Sequence, residues 1–280
     1  MSDALSWNKQ DVERKLGLQG GRGTNAGLVL PLGIAMVGTV AFFGVLTLFR
    51  QTRFAAMFLE RGLIPYPTIF LAFWSLGILF VKRAKTAQHR RALSCQLLPE
   101  GVAFVLTPAT ADTVVTEVYS IAEDPEEFIV FRRVLTTLRS LKNLGRVGDV
   151  NELLRSLGER DESALQTSFA TIQGFLWCIP VLGFIGTVLG LSQAIGAFGE
   201  LLEDNVELTS VVQSLKGVTG GLSTAFETTL IALVIAVILQ LLVTSQRKNE
   251  EFLLDDISEY CLRNIIGRLR ILEMEEVVDT

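Results

Sequence analysis

The chain has 280 residues, 49% of them hydrophobic and 20% charged, with a formal net charge of −5. That balance, with no basic stripe interleaved with aromatics, argues against a nucleic-acid surface. The mean hydropathy is +0.43, high for a soluble protein, and the apolar residues fall in blocks between polar segments, the pattern of a membrane protein.

Residues 1–26 are a polar N-terminal segment carrying Lys9, Arg14, Lys15 and Arg22. Its GGRG run at Gly20 to Gly23 reads as a linker and not a phosphate cradle, because no strand precedes it. A helix rises about 1.5 Å per residue and the hydrocarbon core is about 30 Å thick, so a span needs roughly 20 apolar residues. The first such segment runs from about Gly27 to Phe49, uncharged and bracketed by Arg22 and Arg50. It is longer than a signal-peptide core, and another span follows after one short loop, so it is read as a retained span. The second runs from Ile64 to Val81, opens with Pro65 and Pro67, and carries Tyr66 and Trp74, residues suited to interfacial or near-interfacial depth. Residues 27–82 therefore form a two-span region.

The segment 83–168 is the largest polar piece. It opens with a basic helix, RAKTAQHRRA, which contains the only histidine, His89, expected as an exposed surface residue. The stretch LPEGVAFVL suggests a short strand or an extended segment. Asp124-Pro125 reads as a helix start, with Glu126 and Glu127 in the first turn. Phe131, Leu135, Leu138 and Leu141 follow at helical spacing among Arg132, Arg133, Arg139 and Lys142, an amphipathic pattern. A second amphipathic helix is expected from Asp149 to about Leu157, ended by Gly158. Two more spans follow within 169–246, at about Thr171 to Phe198 and Gly217 to Thr244. Glu200, Glu203, Asp204 and Glu207 make the loop between them acidic, either a solvated loop or a cation-attracting mouth. In the C-terminal segment, 247–280, Leu253, Ile257, Cys261, Ile265 and Leu269 recur every four residues and Leu272 continues the face, so a further helix covers Phe252 to Leu272.

Lys and Arg set the orientation. Lys9, Arg14, Lys15, Arg22, Lys82, Arg83, Lys85, Arg90, Arg91, Arg247 and Lys248 crowd one side, against Arg50, Arg53, Arg61 and Lys216 on the other. The richer side is expected to be cytoplasmic, which puts both termini and the 83–168 segment inside and agrees with four spans. Cys95, Cys178 and Cys261 are far apart and lack CxxC spacing, which fits a reduced compartment and not a disulfide or zinc scaffold. There is no GxxxxGK[ST], G-x-S-x-G or HExxH, so the chain is not read as an enzyme, and no cofactor or metal is expected.

The unusual chemistry sits in the last two spans. In IPVLGFIGTVLGLSQAIGAFG, Gly183, Gly186 and Gly190 fall near one face, where small residues let membrane helices approach closely. Pro180 frees a backbone carbonyl, and Thr187 and Gln193 are polar at membrane depth. GVTGGLSTAFETTLIALVIAVILQLL opens with Gly220 and Gly221 and makes its first half polar with Thr224, Glu227, Thr228 and Thr229. An ionisable residue in a span is a functional candidate by default, so Glu227 is one, unless it sits hydrated near the interface. At about 100° per residue Thr224, Glu227 and Thr228 share a face and Thr229 turns to another. The hydroxyls can line an ion path or merely bond backbone carbonyls.

IPVLGFIGTVLGL and GGLSTAFETTLIALVIAV resemble, in order and spacing, the two conserved spans of the MotA/TolQ/ExbB family. The resemblance covers about a quarter of the chain. Together with the four transmembrane helices and cytoplasmic helical extensions read above, which make an all-α membrane protein, it implies assembly as a homopentamer in the bacterial inner membrane. It further implies a channel through which H+ or Na+ flow drives mechanical work, around a single-span partner of the MotB/TolR/ExbD type that supplies the ion-carrying acid. Thr187 and Thr229 match the family's pore threonines and Pro180 its conserved proline. Two departures stand out. The ExbB and TolQ branches carry an acid where this chain has Thr224, and they have three spans. A secondary transporter for a small solute and a non-conducting membrane scaffold are the rival readings.

Overall fold

A computed structural model of the chain describes residues 5–7, 11–18, 20–21, 23–95, 106–107, 110–141, 146–203 and 208–270, with backbone alone for 200–203 and 208–210. Its elements are helical: α1 (Val12–Lys15), α2 (Val29–Leu48), α3 (Arg53–Leu59), α4 (Pro65–Leu93), α5 (Ala111–Ile121), α6 (Ile129–Ser140), α7 (Val147–Ser168), α8 (Ala170–Glu203) and α9 (Leu208–Asn264), with 3-10 turns at Pro125–Glu127 and Ile266–Arg268. No strand occurs among the described residues, only isolated bridges between Leu5 and Ala122 and between Leu106 and Leu269. The extended stretch expected at LPEGVAFVL lies outside the described residues except for Leu106. Four helices are long and apolar enough to cross a membrane. The chain divides into two compact units, an apolar one of residues 28–79 and 170–245 and a polar one of residues 1–27, 80–169 and 246–280.

In the apolar unit α2 begins with Pro31 in its first turn, where a missing N–H costs nothing. Its glycine at 38 lets the ring of Phe73 close in, since a Cβ there would lie 2.7 Å from Phe73 Cδ1. At Gly77 the same logic admits Pro31, whose Cα would be 3.1 Å from an added Cβ. The short α3 was not foreseen. Thr52 caps it, accepting from Ala55 N–H at 3.2 Å, and Gly62, at φ +77°, makes the turn that follows it. Leu46, Ala55, Phe58, Ile69 and Ile231 form the buried centre here. Tyr66 stacks on Phe43 with ring centroids 4.4 Å apart, and Trp74 packs against Phe70 and Phe175.

In the polar unit α6 supplies the core. Phe131, Val134, Leu135, Leu138 and Leu141 are all almost wholly buried, as the heptad-like spacing requires. α7 corrects an expectation, for it does not end at Gly158 but continues to Ser168. A mid-helix glycine costs only about 1 kcal/mol against alanine, and buried Leu154 and Leu165 on either side of it anchor the helix. Arg133 crosses beside that glycine to bond Asp161 at 2.7 Å and Ser258 at 2.9 Å. α5 was also unforeseen, since its Thr- and Val-rich sequence has no strong helix propensity, yet Ala111, Val114 and Val118 bury at helical spacing.

His89 is a second correction. It is buried, not exposed, with Trp7 4.9 Å away between ring centroids and its Nδ1 accepting from Ile129 N–H at 3.4 Å. The supposedly solvated basic run turns one face inward: Lys82, Lys85, Thr86 and His89 are all buried. Lys82 pairs with Glu250 at 3.0 Å, donates to Ser168 Oγ at 2.7 Å and lies over the ring of Phe169. Lys85 pairs with Glu13 at 2.6 Å and donates to the carbonyls of Gly21 and Asn25 at 2.9 and 2.7 Å. Gln246 joins this network by donating to Thr86 and to Glu250. Gly21 of the GGRG run thus helps to wrap a buried ammonium.

Candidate functional site: a hydroxyl pair between α8 and α9

α8 and α9 approach closely because glycines face backbone. A Cβ on Gly190 would lie 2.6 Å from the Gly221 carbonyl oxygen, and one on Gly221 would lie 2.6 Å from both Gly190 O and Ala194 N. A Cβ on Gly186 would meet Cβ of Thr228 at 2.7 Å, and one on Gly183 would meet Cβ of Ala232 at 2.6 Å. These four positions form the seam that small residues permit. Gly220, expected to share it, has nothing within 4 Å. Pro180 sits inside α8, which runs on through it.

The seam brings two of the singled-out threonines together. Thr187 Oγ1 and Thr229 Oγ1 are hydrogen-bonded to each other. Thr187 Oγ1 also lies 3.3 Å from Gly183 O and 3.1 Å from Ala225 O, and Thr229 Oγ1 lies 2.9 Å from Gly183 O and 3.2 Å from Ala225 O. Two hydroxyls supply two protons to a cluster of four oxygens, so acceptor capacity is left over. All four are hard neutral oxygen ligands of the kind that small cations take. Both threonines are half-buried.

The other polar residues of α9 behave differently. Thr224 donates to Gly220 O at 3.0 Å, and Thr228, buried against Gly186, donates to Thr224 O at 2.8 Å. Both hydroxyls are thus satisfied within their own helix, the ordinary arrangement of a helical threonine. Glu227 reaches neither. It forms a two-pronged pair with Arg61, Nε to Oε2 at 2.6 Å and a terminal nitrogen to Oε1 at 3.1 Å. Sequence reasoning missed this partner, for the two residues are 166 positions apart and no local spacing links them. The side chains of Glu200 and Glu203, and Asp204 and Glu207 entirely, lie outside the described residues. Gln193 is exposed. Among the described residues no group of three His, Cys, Asp or Glu is placed to hold a metal ion.

Residues 124–254, which take in α6, α7, α8 and most of α9, match the model of the MotA/TolQ/ExbB proton channel family. That segment is thus similar to a family of membrane-embedded proton channels, which is not an enzyme class. No curated protein and no solved structure matches the chain.

Proposed function

We propose that this chain is the channel-forming subunit of an ion-driven motor or energy-coupling complex in a bacterial inner membrane. The observation that carries the reading is the Thr187–Thr229 hydroxyl pair, held across two glycine-faced helices with unspent acceptor capacity. In this reading the two threonines from each copy line the path of H+ or Na+. The chain works as a homopentamer around a single-span MotB/TolR/ExbD-like partner, which contributes the ion-carrying acid. Phe184, Val188 and Ile195 on α8 and Phe226, Leu233 and Val237 on α9 are exposed apolar side chains and give such an assembly its lipid-facing and copy-facing surfaces. Both termini and the polar unit lie on the cytoplasmic side, in keeping with the Lys and Arg excess. Each elementary charge falling through 100 mV releases about 2.3 kcal/mol, so a few ions per step suffice for mechanical work.

Native mass spectrometry of the tagged chain drawn from its own membranes tests this. Five copies with two of a single-span protein support the proposal. A monomer or dimer without such a partner overturns it, and turns attention to a solute transporter or a scaffold.

A further inference from the structure

We propose that Arg61 is a positioning residue for the channel helix: it holds Glu227 as a fixed, untransported charge, so that the passing ion travels on the opposite side of α9. The proposal deepens the channel reading and rests on it.

Four observations converge. The first is angular. Glu227 and Thr229 are two residues apart, about 200° around a helix, so they point to opposite sides of α9. The second is packing. Glu227, Ile231 and Ile235 form one stripe at intervals of four. Ile231 belongs to the buried cluster with Leu46, Ala55, Phe58 and Ile69, and Ile235 packs on its margin. That stripe faces the α2–α3–α4 connection, whereas Ala225, Thr229 and Ala232 face α8. The third is the pair itself. Both oxygens of Glu227 are taken by one guanidinium, with the two side chains 21% and 25% exposed. A bidentate guanidinium is planar, permanently charged and specific in direction. The fourth is the mount for Arg61. It stands directly before Gly62, whose positive φ makes the turn into α4, and after α3, which is capped by Thr52 and seated by Phe58. Arg61 is therefore presented from a built turn.

The consequence is a division of labour on one helix. A carboxylate in a span is costly when bare. Here it is neutralised by a group of the same chain, and in return it ties the 49–64 connection to α9 about half a turn from Thr229. The ion then meets neutral hydroxyls and carbonyls, and not a side-chain acid of this subunit.

The test uses the full chain with its native partner. Arg61→Gln, Glu227→Gln and the double variant are compared with the parent for thermal stability in detergent, yield of complex, and ion flux against pH. The expected result is non-additive stability: each single variant lowers the midpoint, and the double loses less than the sum of the two. The double variant, once assembled, keeps at least a third of the parent flux with the parent's pH profile. Arg61→Lys recovers part of the stability lost in Arg61→Gln, because an ammonium replaces the charge but not the two-pronged geometry. Additive single effects overturn the latch. An assembled double variant with under a tenth of parent flux, or with a shifted pH profile, overturns it in favour of Glu227 as an ion carrier. A parent complex that passes no ions removes the channel reading, while the stability cycle still decides whether Arg61 and Glu227 are coupled.

Discussion

The polar and apolar units bury polar groups by opposite rules. In the polar unit whole charges are withdrawn from water. Lys82, Lys85, Glu13 and Glu250 are all essentially unexposed, and each is met by an opposite charge and by further hydrogen bonds. In the apolar unit the half-buried centre of interest holds no charge at all, only hydroxyls and carbonyls sharing too few protons. The one ion pair among its described residues, Arg61 with Glu227, stands apart and partly exposed. A group that must stay put can be bound as tightly as geometry allows. A path that passes an ion cannot hold it in a deep well, because entry and exit both have to remain favourable. On the proposed function, the fixed ions are scaffolding and the weak neutral oxygens carry the traffic.

The sharpest way to break this comparison is to leave one buried ion alone. Removing a single partner from a buried pair costs about 3–5 kcal/mol, because the other charge stays desolvated. Lys82→Met or Glu250→Leu should therefore collapse the thermal midpoint of the purified protein. The Lys82→Met, Glu250→Leu double variant should recover most of the loss, since an apolar pair of similar size replaces the ions. Two additive losses in differential scanning fluorimetry would mean that the pair is not the unit of stability.

The seam between α8 and α9 should be nearly as sensitive. An added Cβ at Gly221 meets backbone atoms at 2.6 Å, and backbone cannot step aside as a flexible side chain can. Gly221→Ala should cost about 1–3 kcal/mol by overpacking. Its neighbour is the control. Gly220 faces open space, so Gly220→Ala should stabilise α9 by up to about 1 kcal/mol through helix propensity. Equal effects at the two positions, measured by unfolding in detergent, would contradict the close approach.

Thr187→Val and Thr229→Val sharpen the functional half. Valine keeps the shape and deletes the hydroxyl. Hydrogen bonds between membrane helices average only about 0.6 kcal/mol, so the midpoint should scarcely move. Ion flux through the assembled complex should nevertheless fall at least tenfold. Normal flux with normal assembly would move the ion path away from this pair.

What could be read from the sequence follows the physics of each feature. The four spans were legible because length and uninterrupted apolarity are local quantities. Thr187 and Thr229 were singled out by their match to the family's motif, while their hydrogen bond to each other is visible only in the fold. Where α4 continues beyond Val81 it was misread, since Lys82, Lys85 and His89 look like a solvated face until Trp7, Glu13, Gly21, Asn25 and Ile129 are brought against Lys85 and His89. α7 was cut short because Gly158 is a stop signal only when no buried side chains follow it. Arg61 was read solely as a charge outside the membrane, for nothing near it in sequence names Glu227. Local pattern reports helices and their faces, and long-range pairing of charges is set by the fold alone.

The smallest expected effect tests the rule inside the polar unit, at a buried carboxylate that is poorly served. Asp11 is fully buried, and its Oδ2 lies 3.9 Å from Lys85 Nζ without a hydrogen bond. Burial pushes its carboxyl above the ordinary value of 3.8, with Glu13 adding to the rise, while Lys85, the Glu13 N–H and Arg14 oppose it. The native state then binds more protons than the unfolded chain between 3.8 and the raised value. By linkage, the stability Asp11 contributes is present in full below 3.8 and is lost as pH rises through its folded pKa. Asp11→Asn removes that loss and keeps an oxygen to accept from Glu13 N–H, now at 3.4 Å. The variant should match the parent at acid pH and unfold at a slightly higher temperature near neutrality. A variant that grows less stable than the parent as pH rises would show that Asp11 works as a full ion beside Lys85, and that the polar unit tolerates a third buried carboxylate as well as the two it pairs.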